Sequence, residues 1–465
     1  MTTATLLLVT ILPLARAGET TRQHGHVKPL LVYDPKPVPA VAPGATNFAC
    51  QTTTPPGCYD PSEIRQAYNI QALLDEGFTG AGKTIVIIDA FQSPTIVNDL
   101  NVFNQTFGIS GMNGLGASTD NRLPTFSIVA PDGLTPFDPT NRDEVGWAGE
   151  ITLDVEWAHA IAPGANIVLV LSKSDADNDI LSAQKYAIDH RLGDVISQSF
   201  GELETCVDPT IAKQTHDVFI EATLKNITLF ASSGDQGAAL PTCDGSSLTK
   251  GVSSPAVDPL VVGVGGTILN APAGVYEGEV AWNESEFSAA TGGGYSTLYN
   301  EPFYQLPAVS GGKRGVPDVA YNAAIIGGVL VVWSSSGHGA NLVFRFGGTS
   351  AGSPQWAALL SIVDQEAGYD VGFINQGLYR IGVARNEHKP SFHDIISGNN
   401  SDYGITGYNA GPGWDPTTGW GSPDSEYLVR NLLKSVSPLD GLIGIVETGP
   451  LANGIVSNAG HHRPH

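Results

Sequence analysis

Basic side chains are scarce in this chain of 465 residues. It has 23 Lys and Arg against 46 Asp and Glu, which gives a formal net charge of −23 at pH 7. A surface of this sign repels the phosphates of nucleic acids and the head groups of anionic lipids, and no Lys/Arg cluster interrupts it. The composition therefore argues against nucleic acids and anionic membrane surfaces as partners.

Charged residues of either sign are also few, at 15%, whereas apolar residues make up 42%. Disordered chains have the opposite balance, and this length is sufficient for a sizeable core. No segment approaches the ~18 uninterrupted apolar residues of a membrane helix, so we expect no integral membrane segment. The sequence predicts an acidic, glycine-rich globular protein whose composition suits an acidic medium.

Cysteine is rare, with four residues, and none has the C-x-x-C spacing typical of a zinc site. An even number of cysteines in an exported chain suggests two disulfides. Of the three pairings that four cysteines allow, the spacing favours Cys50–Cys58 and Cys206–Cys243.

The amino terminus has features of an export signal. Residues 4–14 form a largely apolar run, and Ala15-Arg16-Ala17 has the small-x-small form of a signal-peptidase site. The first three residues include no Lys or Arg, so a mis-set start codon and a buried amino-terminal strand remain as alternatives. We predict a signal peptide at residues 1–17 and a secreted, extracellular protein, or a lysosome-like location in a eukaryotic host.

Beyond residue 57, strand and helix patterns alternate. Continuous apolar runs predict buried strands at residues 85–89, 166–171, 194–199, 227–232 and 260–264. Helical periodicity predicts helices at residues 144–161, 180–191, 209–225, about 350–365 and about 424–434. Residues 268–346 are Gly-rich and we expect them to be irregular. The alternation predicts an α/β fold with one parallel sheet covered by helices.

Ser350 has the setting of a nucleophile. It lies in the string Gly347-Gly348-Thr349-Ser350, just before a predicted helix whose free N–H groups favour a developing negative charge. An ordinary N-cap serine is the alternative interpretation. A nucleophilic serine needs a base, and none of the histidines considered, His26, His159 and His338, has the surroundings of one.

The predicted helix at residues 144–161 offers carboxylates instead. Glu150 and Asp154 are four residues apart and share a face with Trp147 and Ile151, so that face should point inward. Burial and mutual repulsion raise the pKa of such a pair, which gives a base that still works in acid. A solvated acidic helix face is the alternative.

A third carboxylate, Asp235, follows a predicted strand in the string Ser232-Ser233-Gly234-Asp235. The carboxyl ends of parallel strands are where α/β sheets place their sites. A protonated Asp235 is able to donate a hydrogen bond to an oxyanion, although a plain turn former is the alternative.

These strings together resemble the sedolisins, or serine-carboxyl peptidases. The resemblance rests on Glu-x-x-x-Asp at residues 150–154, Ser-Ser-Gly-Asp at 232–235, Gly-Gly-Gly-Tyr-Ser at 292–296 and Gly-Gly-Thr-Ser-Ala-x-x-Pro at 347–354. It extends from about Cys58 to Pro423. It implies a subtilisin-like fold, with a parallel sheet of about seven strands sandwiched by helices and a carboxyl-terminal calcium loop.

The resemblance also implies roles for individual residues. Ser350 is then the nucleophile, Glu150 its general base, and Asp154 the carboxylate that orients Glu150. Asp235 is the acid that stabilises the oxyanion, and Asp89 extends the carboxyl network. The residues implied in substrate binding are Ser199, Phe200, Gly201, Gly292, Gly293 and Gly294.

One structural Ca²⁺ ion is implied as well. Its ligands are the carboxylates of Asp394 and Asp415 and the main-chain carbonyls of Ile395, Gly411 and Gly413. Oxygen ligation of this kind suits Ca²⁺ and not Zn²⁺. Without the resemblance, the two aspartates are ordinary loop acids.

We expect four parts: the signal peptide, a Pro/Thr-rich leader at residues 18–57, a peptidase domain at 58–435 and a tail at 436–465. The resemblance implies a large folded pro-domain ahead of the peptidase, and the leader is too short to be one. We also expect a monomer that acts on protein or peptide substrates.

The sequence thus predicts a secreted serine endopeptidase that works in acid through an acyl-enzyme on Ser350. One alternative is a subtilisin-type enzyme using Asp89, a histidine and Ser350, for which no histidine has the right setting. The other is a non-catalytic secreted binding protein that keeps the fold. The presence of all four catalytic residue types argues against it.

Overall fold

The computed structural model describes residues 25–40, 47–114, 122–384 and 390–448. The predicted signal peptide and the last part of the predicted tail lie outside these ranges. The helices are α1 (Pro61–Ala67), α2 (Ile70–Asp75), α3 (Ile96–Phe107), α4 (Arg142–Ile161), α5 (Asp177–Asp189), α6 (Pro209–Leu224), α7 (Gly352–Ala367), α8 (Asn375–Ala384), α9 (Ser425–Ser435) and α10 (Asp440–Thr448). None of the helices in these ranges has the length and apolar character needed to cross a membrane.

Short and long strands are interleaved with the helices. In chain order they are β1 (Lys28–Pro29), β2 (Val32–Tyr33), β3 (Cys58–Tyr59), β4 (Thr84–Ala90), β5 (Phe126–Val129), β6 (Asn166–Ser172), β7 (Val195–Gln198), β8 (Phe200–Leu203), β9 (Thr228–Ser232), β10 (Ala239–Pro241), β11 (Leu248–Lys250), β12 (Ser253–Ser254), β13 (Val262–Asn270), β14 (Gly278–Ala281), β15 (Asn283–Glu284), β16 (Ala289–Ala290), β17 (Gly294–Asn300), β18 (Lys313–Val316), β19 (Val319–Asn322), β20 (Gly328–Val332), β21 (Val343–Gly347), β22 (Phe392–His393) and β23 (Ser422–Pro423).

The central sheet has the strand order β14-β13-β9-β7-β4-β6-β5, and β19 also pairs with β13. Every pairing is parallel except that between β13 and β14, so seven strands run in one direction. The apolar run in β4 explains its central place, because six of its seven residues are buried. The predicted α/β fold with about seven parallel strands is confirmed.

Two helix pairs flank this sheet, α4 with α7 and α5 with α6. Helix α4 begins where the side chain of Asn141 accepts the N–H of Asp143 at 3.0 Å. It packs on the sheet and α7, and also on α3 and β20, so its polar face is covered as well. Polar side chains on α4 are therefore buried, and their burial calls for a structural or functional explanation.

The amino-terminal segment lies on the body of the protein as two short strands. β1 pairs antiparallel with β8, and β2 pairs antiparallel with β21. Both favoured disulfides, Cys50–Cys58 and Cys206–Cys243, are present. The first of them ties the end of this segment to β3.

The structure differs from the predicted elements mainly in residues 268–346. This stretch was expected to be irregular, yet it contributes eight strands, β14–β21, of which β14 and β19 join the central sheet. These strands are only 2–7 residues long, too short for a clear periodic pattern. Helix α10 likewise lies in the predicted tail, where no pattern indicated it.

Candidate active site

Glu150 and Asp154 lie one turn apart on α4, and both are fully buried. In the described part of the chain, their four carboxyl oxygens form no hydrogen bond of ordinary geometry. Burial, the largest effect, raises the pKa of both carboxyls well above the usual range. The Asp154 charge raises the pKa of Glu150 further, whereas the nearby Ser350 hydroxyl lowers it.

Asp89 brings a third carboxyl to this cluster from the end of β4. It is fully buried, without a donor in the described part of the chain, and burial raises its pKa to about 8. Its charge also raises the pKa of Glu150 and Asp154. Three desolvated carboxyls so close together cannot all ionise at neutral pH, and they hold protons as a group.

Ser350 stands in the turn Thr349–Ala351, which leads into α7 and packs against α4. Its hydroxyl donates to the main-chain oxygen of Ser199 at 3.2 Å. Its N–H donates to the carbonyl oxygen of Leu30 at 3.0 Å. The hydroxyl and the N–H thus lie between the carboxyl cluster and the amino-terminal segment.

Asp235 lies just after β9 and contacts the turn that carries Ser350. Its Oδ1 accepts the N–H of Thr349 at 2.7 Å and the Thr349 hydroxyl at 2.8 Å. Its Oδ2 is buried and has no donor among the residues described. Burial raises the pKa of Asp235 to about 7, although both bonds from Thr349 lower it.

Gly348 explains why the space beside Asp235 stays open. A Cβ at this position would lie 2.6 Å from Asp235 Oδ2 and 2.6 Å from the Leu30 carbonyl oxygen, and its φ of +96° disfavours any other residue. Asp235 Oδ2 and a peptide carbonyl oxygen therefore both face the region beside Ser350. A protonated Oδ2 and the Ser350 N–H are suitable donors to an oxyanion there.

The implied substrate-binding residues fall into two groups. Residues 199–201 lie along the amino-terminal segment: Ser199 O accepts the N–H of Leu30 at 3.1 Å, and Phe200 and Gly201 pair with β1. Residues 292–294 lie behind Asp235, where the Gly292 N–H donates to Gly234 O at 2.7 Å. The substrate-binding role stays a prediction for both groups.

The histidines lie elsewhere. His159, on the last turn of α4, contacts the Ser110 carbonyl oxygen at 2.7 Å, and burial lowers its pKa to about 4. His338 lies in an exposed loop, and His26 contacts Asp175 at 2.8 Å. In the described part of the chain, no histidine forms a hydrogen bond with Ser350.

The implied calcium loop brings its two carboxylates to one glycine-rich turn. Asp394 accepts the Gly413 N–H at 2.9 Å, and Asp415 accepts the Gly411 N–H at 3.1 Å. No donor among the described residues bonds to the main-chain carbonyls of Ile395, Gly411 or Gly413. This all-oxygen donor set fits Ca²⁺.

A group of three or more His, Cys, Asp or Glu side chains able to hold a metal is absent from the described residues. The implied calcium site has only two carboxylate ligands, so the absence of such a group does not exclude it.

Thr349 and Leu30 are site residues that the sequence did not indicate. Thr349 fixes Asp235 across 114 positions of the chain, and its hydroxyl also accepts the Gly234 N–H at 3.1 Å. In the sequence, only its position next to Ser350 could have indicated this role of Thr349. Nothing local indicates that Leu30 reaches Ser350, since this contact depends on the whole fold.

Comparison with known proteins identifies the fold and its relatives. No protein-family model matches the chain. It is 35% identical over 394 residues to kumamolisin from Bacillus sp. (strain MN-32), covering 82% of this chain. It is 31% identical over 395 residues to sedolisin from Pseudomonas sp. (strain 101), covering 80% of this chain. The chain belongs to the sedolisin family.

A solved sedolisin structure agrees. The Pseudomonas sedolisin, a serine-carboxyl proteinase complexed with two molecules of pseudo-iodotyrostatin, matches with a TM-score of 0.67 and 28% identity, over 81% of this chain and 98% of that one. The chain spans 65% of the length of kumamolisin and 62% of that of the curated sedolisin. The resemblance predicted from the motifs is therefore confirmed at the level of the family.

Proposed function

We propose that this chain is a serine-carboxyl endopeptidase that acts, as a monomer, on protein or peptide substrates. The position of Ser350 between the carboxyl cluster and Asp235 carries the proposal. This arrangement supplies a nucleophile, a base and an oxyanion donor around one point. Membership of the sedolisin family supports the same class of reaction.

In the acylation step, Ser350 Oγ attacks the carbonyl carbon of the peptide and its proton passes to Glu150. Asp154, one turn away, orients Glu150, and Asp89 extends the group that shares protons. The carbonyl oxygen becomes an oxyanion, which the Ser350 N–H and protonated Asp235 stabilise. As the C–N bond breaks, Glu150 returns the proton to the leaving amine, and an ester on Ser350 remains.

In the deacylation step, water attacks the ester carbonyl and gives a proton to Glu150. The same two donors stabilise the second oxyanion. Its collapse breaks the C–Oγ bond, and the proton on Glu150 restores the Ser350 hydroxyl. Each cycle consumes one water and returns every proton, so no further reactant is needed.

Acidic conditions suit this chemistry because of Asp235. Asp235 must be protonated to donate, and burial raises its pKa to about 7, so the donor form dominates below that pH. We therefore propose that the enzyme works in acid.

A structural Ca²⁺ is part of the proposal. The carboxylates of Asp394 and Asp415 and the carbonyls of Ile395, Gly411 and Gly413 would hold it, and the ion would neutralise the two charges and fix the loop. Secretion is also proposed, because two disulfides suit an oxidising compartment.

Replacement of Ser350 tests the reaction. Ser350→Ala should lower the hydrolysis of unfolded casein by at least about 10³-fold, because no other group replaces the nucleophile. The measurement is peptide release after incubation in acid, across a series from about pH 3 to about pH 8. Glu150→Gln should lower the rate by about 10²–10⁴-fold through loss of the base.

Glu221→Gln on the exposed face of α6 is the matched control, and its activity should equal that of the parent protein. Full activity of Ser350→Ala would refute the proposal. The absence of hydrolysis by the folded parent protein at every pH would instead favour a binding protein.

A further inference from the structure

The chain's own residues 26–34 run in extended form through the cleft that holds Ser350. On one side of Ser350, β1 pairs antiparallel with β8; on the other side, β2 pairs antiparallel with β21. Extended peptides bind proteins in this way, by adding a strand to an available edge. The registers are Lys28 with Gly201, Pro29 with Phe200, Val32 with Gly347 and Tyr33 with Phe346.

Leu30 lies between the two paired stretches and meets the catalytic groups. Its N–H donates to Ser199 O at 3.1 Å, and its carbonyl oxygen accepts the Ser350 N–H at 3.0 Å. Gly348 leaves room for this oxygen beside Asp235. The Leu30 carbonyl thus occupies the place of a carbonyl to be attacked, and the following peptide bond joins Leu30 to Leu31.

The Lys28 side chain, two residues before Leu30, lies against two carboxylates. Its Nζ lies 3.1 Å from Asp175 Oδ2 and 3.4 Å from Asp143 Oδ1. The Asp175 side chain is only 7% exposed. In the described part of the chain, its carboxylate hydrogen-bonds only to Lys28 and His26, which both belong to the bound segment.

A carboxylate that is nearly buried needs a cationic or hydrogen-bonding partner. Among the described residues, the Asp175 carboxylate finds its partners only in the segment that occupies the cleft. When a different peptide replaces this segment, Asp175 must find the partner in that peptide. Asp143, from the first turn of α4, places a second negative charge beside the same position.

Contacts on the far side of the attacked bond hold the segment in this register. Tyr33 stacks on Phe346 at 5.4 Å between ring centres and meets the edge of Trp333 at 5.1 Å. Asp34 forms an ion pair with Arg345 at 2.8 Å. Because both sides are anchored, Lys28 and Leu30 cannot both shift without loss of these contacts.

We propose that Asp143 and Asp175 form a subsite that selects a basic side chain two residues before the residue whose carbonyl Ser350 attacks. The enzyme then prefers peptides with Lys or Arg at that position, and residues 26–34 are a bound example. This inference rests on the proposed peptidase function and names its substrate class.

Peptides based on residues 26–35, His-Val-Lys-Pro-Leu-Leu-Val-Tyr-Asp-Pro, test the preference. The parent peptide should be cut between the two leucines, and the peptide with Lys28→Arg at a similar rate. The peptide with Lys28→Ala should lose about tenfold in kcat/KM, and that with Lys28→Glu should lose more. Mass spectrometry identifies the bond that is cut, and casein hydrolysis is measured in the same preparation after incubation in acid.

Enzyme variants show whether the two aspartates cause the preference. In Asp143→Asn and in Asp175→Asn, the preference for the Lys over the Ala peptide should fall towards unity. The rate on the Ala peptide should change less than about threefold. Asp189→Asn, an exposed change on α5, is the matched control and should keep the full preference. Asp143 is more exposed than Asp175, so its variant serves if Asp175→Asn fails to fold.

The outcomes separate the two proposals. Casein hydrolysis with equal rates on the Lys, Ala and Glu peptides would overturn the subsite and leave the peptidase function intact. A preference that persists in both aspartate variants would also overturn it. A folded protein that cuts neither casein nor any peptide would contradict the peptidase function itself.

Discussion

Single side chains around Ser350 determine its chemistry through burial. Asp89, Glu150 and Asp154 are all fully buried, and burial raises the pKa of each carboxyl. Desolvated carboxyls hold protons more tightly than carboxyls in water. They therefore bind and release protons as a group, which suits the transfer of a proton to and from a serine.

Asp235→Asn should change the pH dependence of hydrolysis. Above a pH of about 7, Asp235 loses the proton that makes it a donor, so the rate should fall there. The Asn amide keeps its N–H groups at all pH values, so the fall should move to higher pH while the maximal rate drops by about 10–10³-fold. The measurement is kcat/KM across pH, with Asp244→Asn on the surface as the control. An unchanged profile would contradict the role of Asp235.

At the scale of elements, rigid pieces from distant parts of the chain converge on the site. Helix α4 supplies two carboxyls one turn apart, β4 delivers Asp89 at its carboxyl end, and the turn Thr349–Ala351 presents Ser350. The hydroxyls of Ser197 and Ser353, 2.8 Å apart, join α7 to β7. In the loop with Asp394 and Asp415, the two carboxylates accept N–H groups from Gly413 and Gly411, and Asp415 also accepts those of Thr417 and Thr418.

Removal of calcium should destabilise this loop. A chelator should lower the melting temperature by roughly 5 °C, because loss of a ligand at about 100 times its Kd removes about 2.7 kcal/mol of stability. Circular dichroism with excess Ca²⁺ or excess chelator gives the comparison. The double variant Asp394→Asn, Asp415→Asn should melt at one temperature in both conditions. Identical melting of the parent protein with and without Ca²⁺ would exclude the site.

At the scale of the whole molecule, buried acids tie stability to pH. Burial raises the pKa of Asp89 and Asp364 to about 8 and that of Asp235 to about 7, against about 4 in an unfolded chain. Between about pH 4 and pH 7–8, these carboxyls hold more protons in the folded state than in the unfolded state. The stabilisation is therefore complete below about pH 4 and is lost as pH rises through 7–8. His159 opposes this trend, because burial lowers its pKa to about 4.

The protein should therefore be more stable in mild acid than in alkali. Three or more carboxyls outweigh His159, and the charge of −23 at pH 7 adds self-repulsion that grows with pH. We expect a melting temperature roughly 5 °C higher at about pH 5.5 than at about pH 8.5. Ser350→Ala is the protein to use, since it cannot digest itself. Asp89→Asn should reduce the difference, and equal or higher stability at the alkaline pH would refute this account.

Helix α4 and its neighbours show how far sequence patterns reach. The helix was predicted at residues 144–161 and is found at Arg142–Ile161, and strand β4 was predicted within one residue of each end. The inward pair Glu150 and Asp154 followed from their spacing, because four residues make about one helical turn, and from the apolar residues on the same face. Strand β19 was missed, since its four residues carry no clear pattern and its place depends on pairing with β13.

The sequence by itself determined the alternating elements, the buried acidic pair and, through its motifs, the family. These follow from local periodicity and short strings, which do not depend on distant contacts. The family resemblance implied that Asp89 joins the pair, but only the tertiary structure decided that Thr349 holds Asp235 and that Leu30 lies against Ser350. Those contacts join residues far apart in the chain, and their geometry exists only once the parallel sheet has brought the strand ends together.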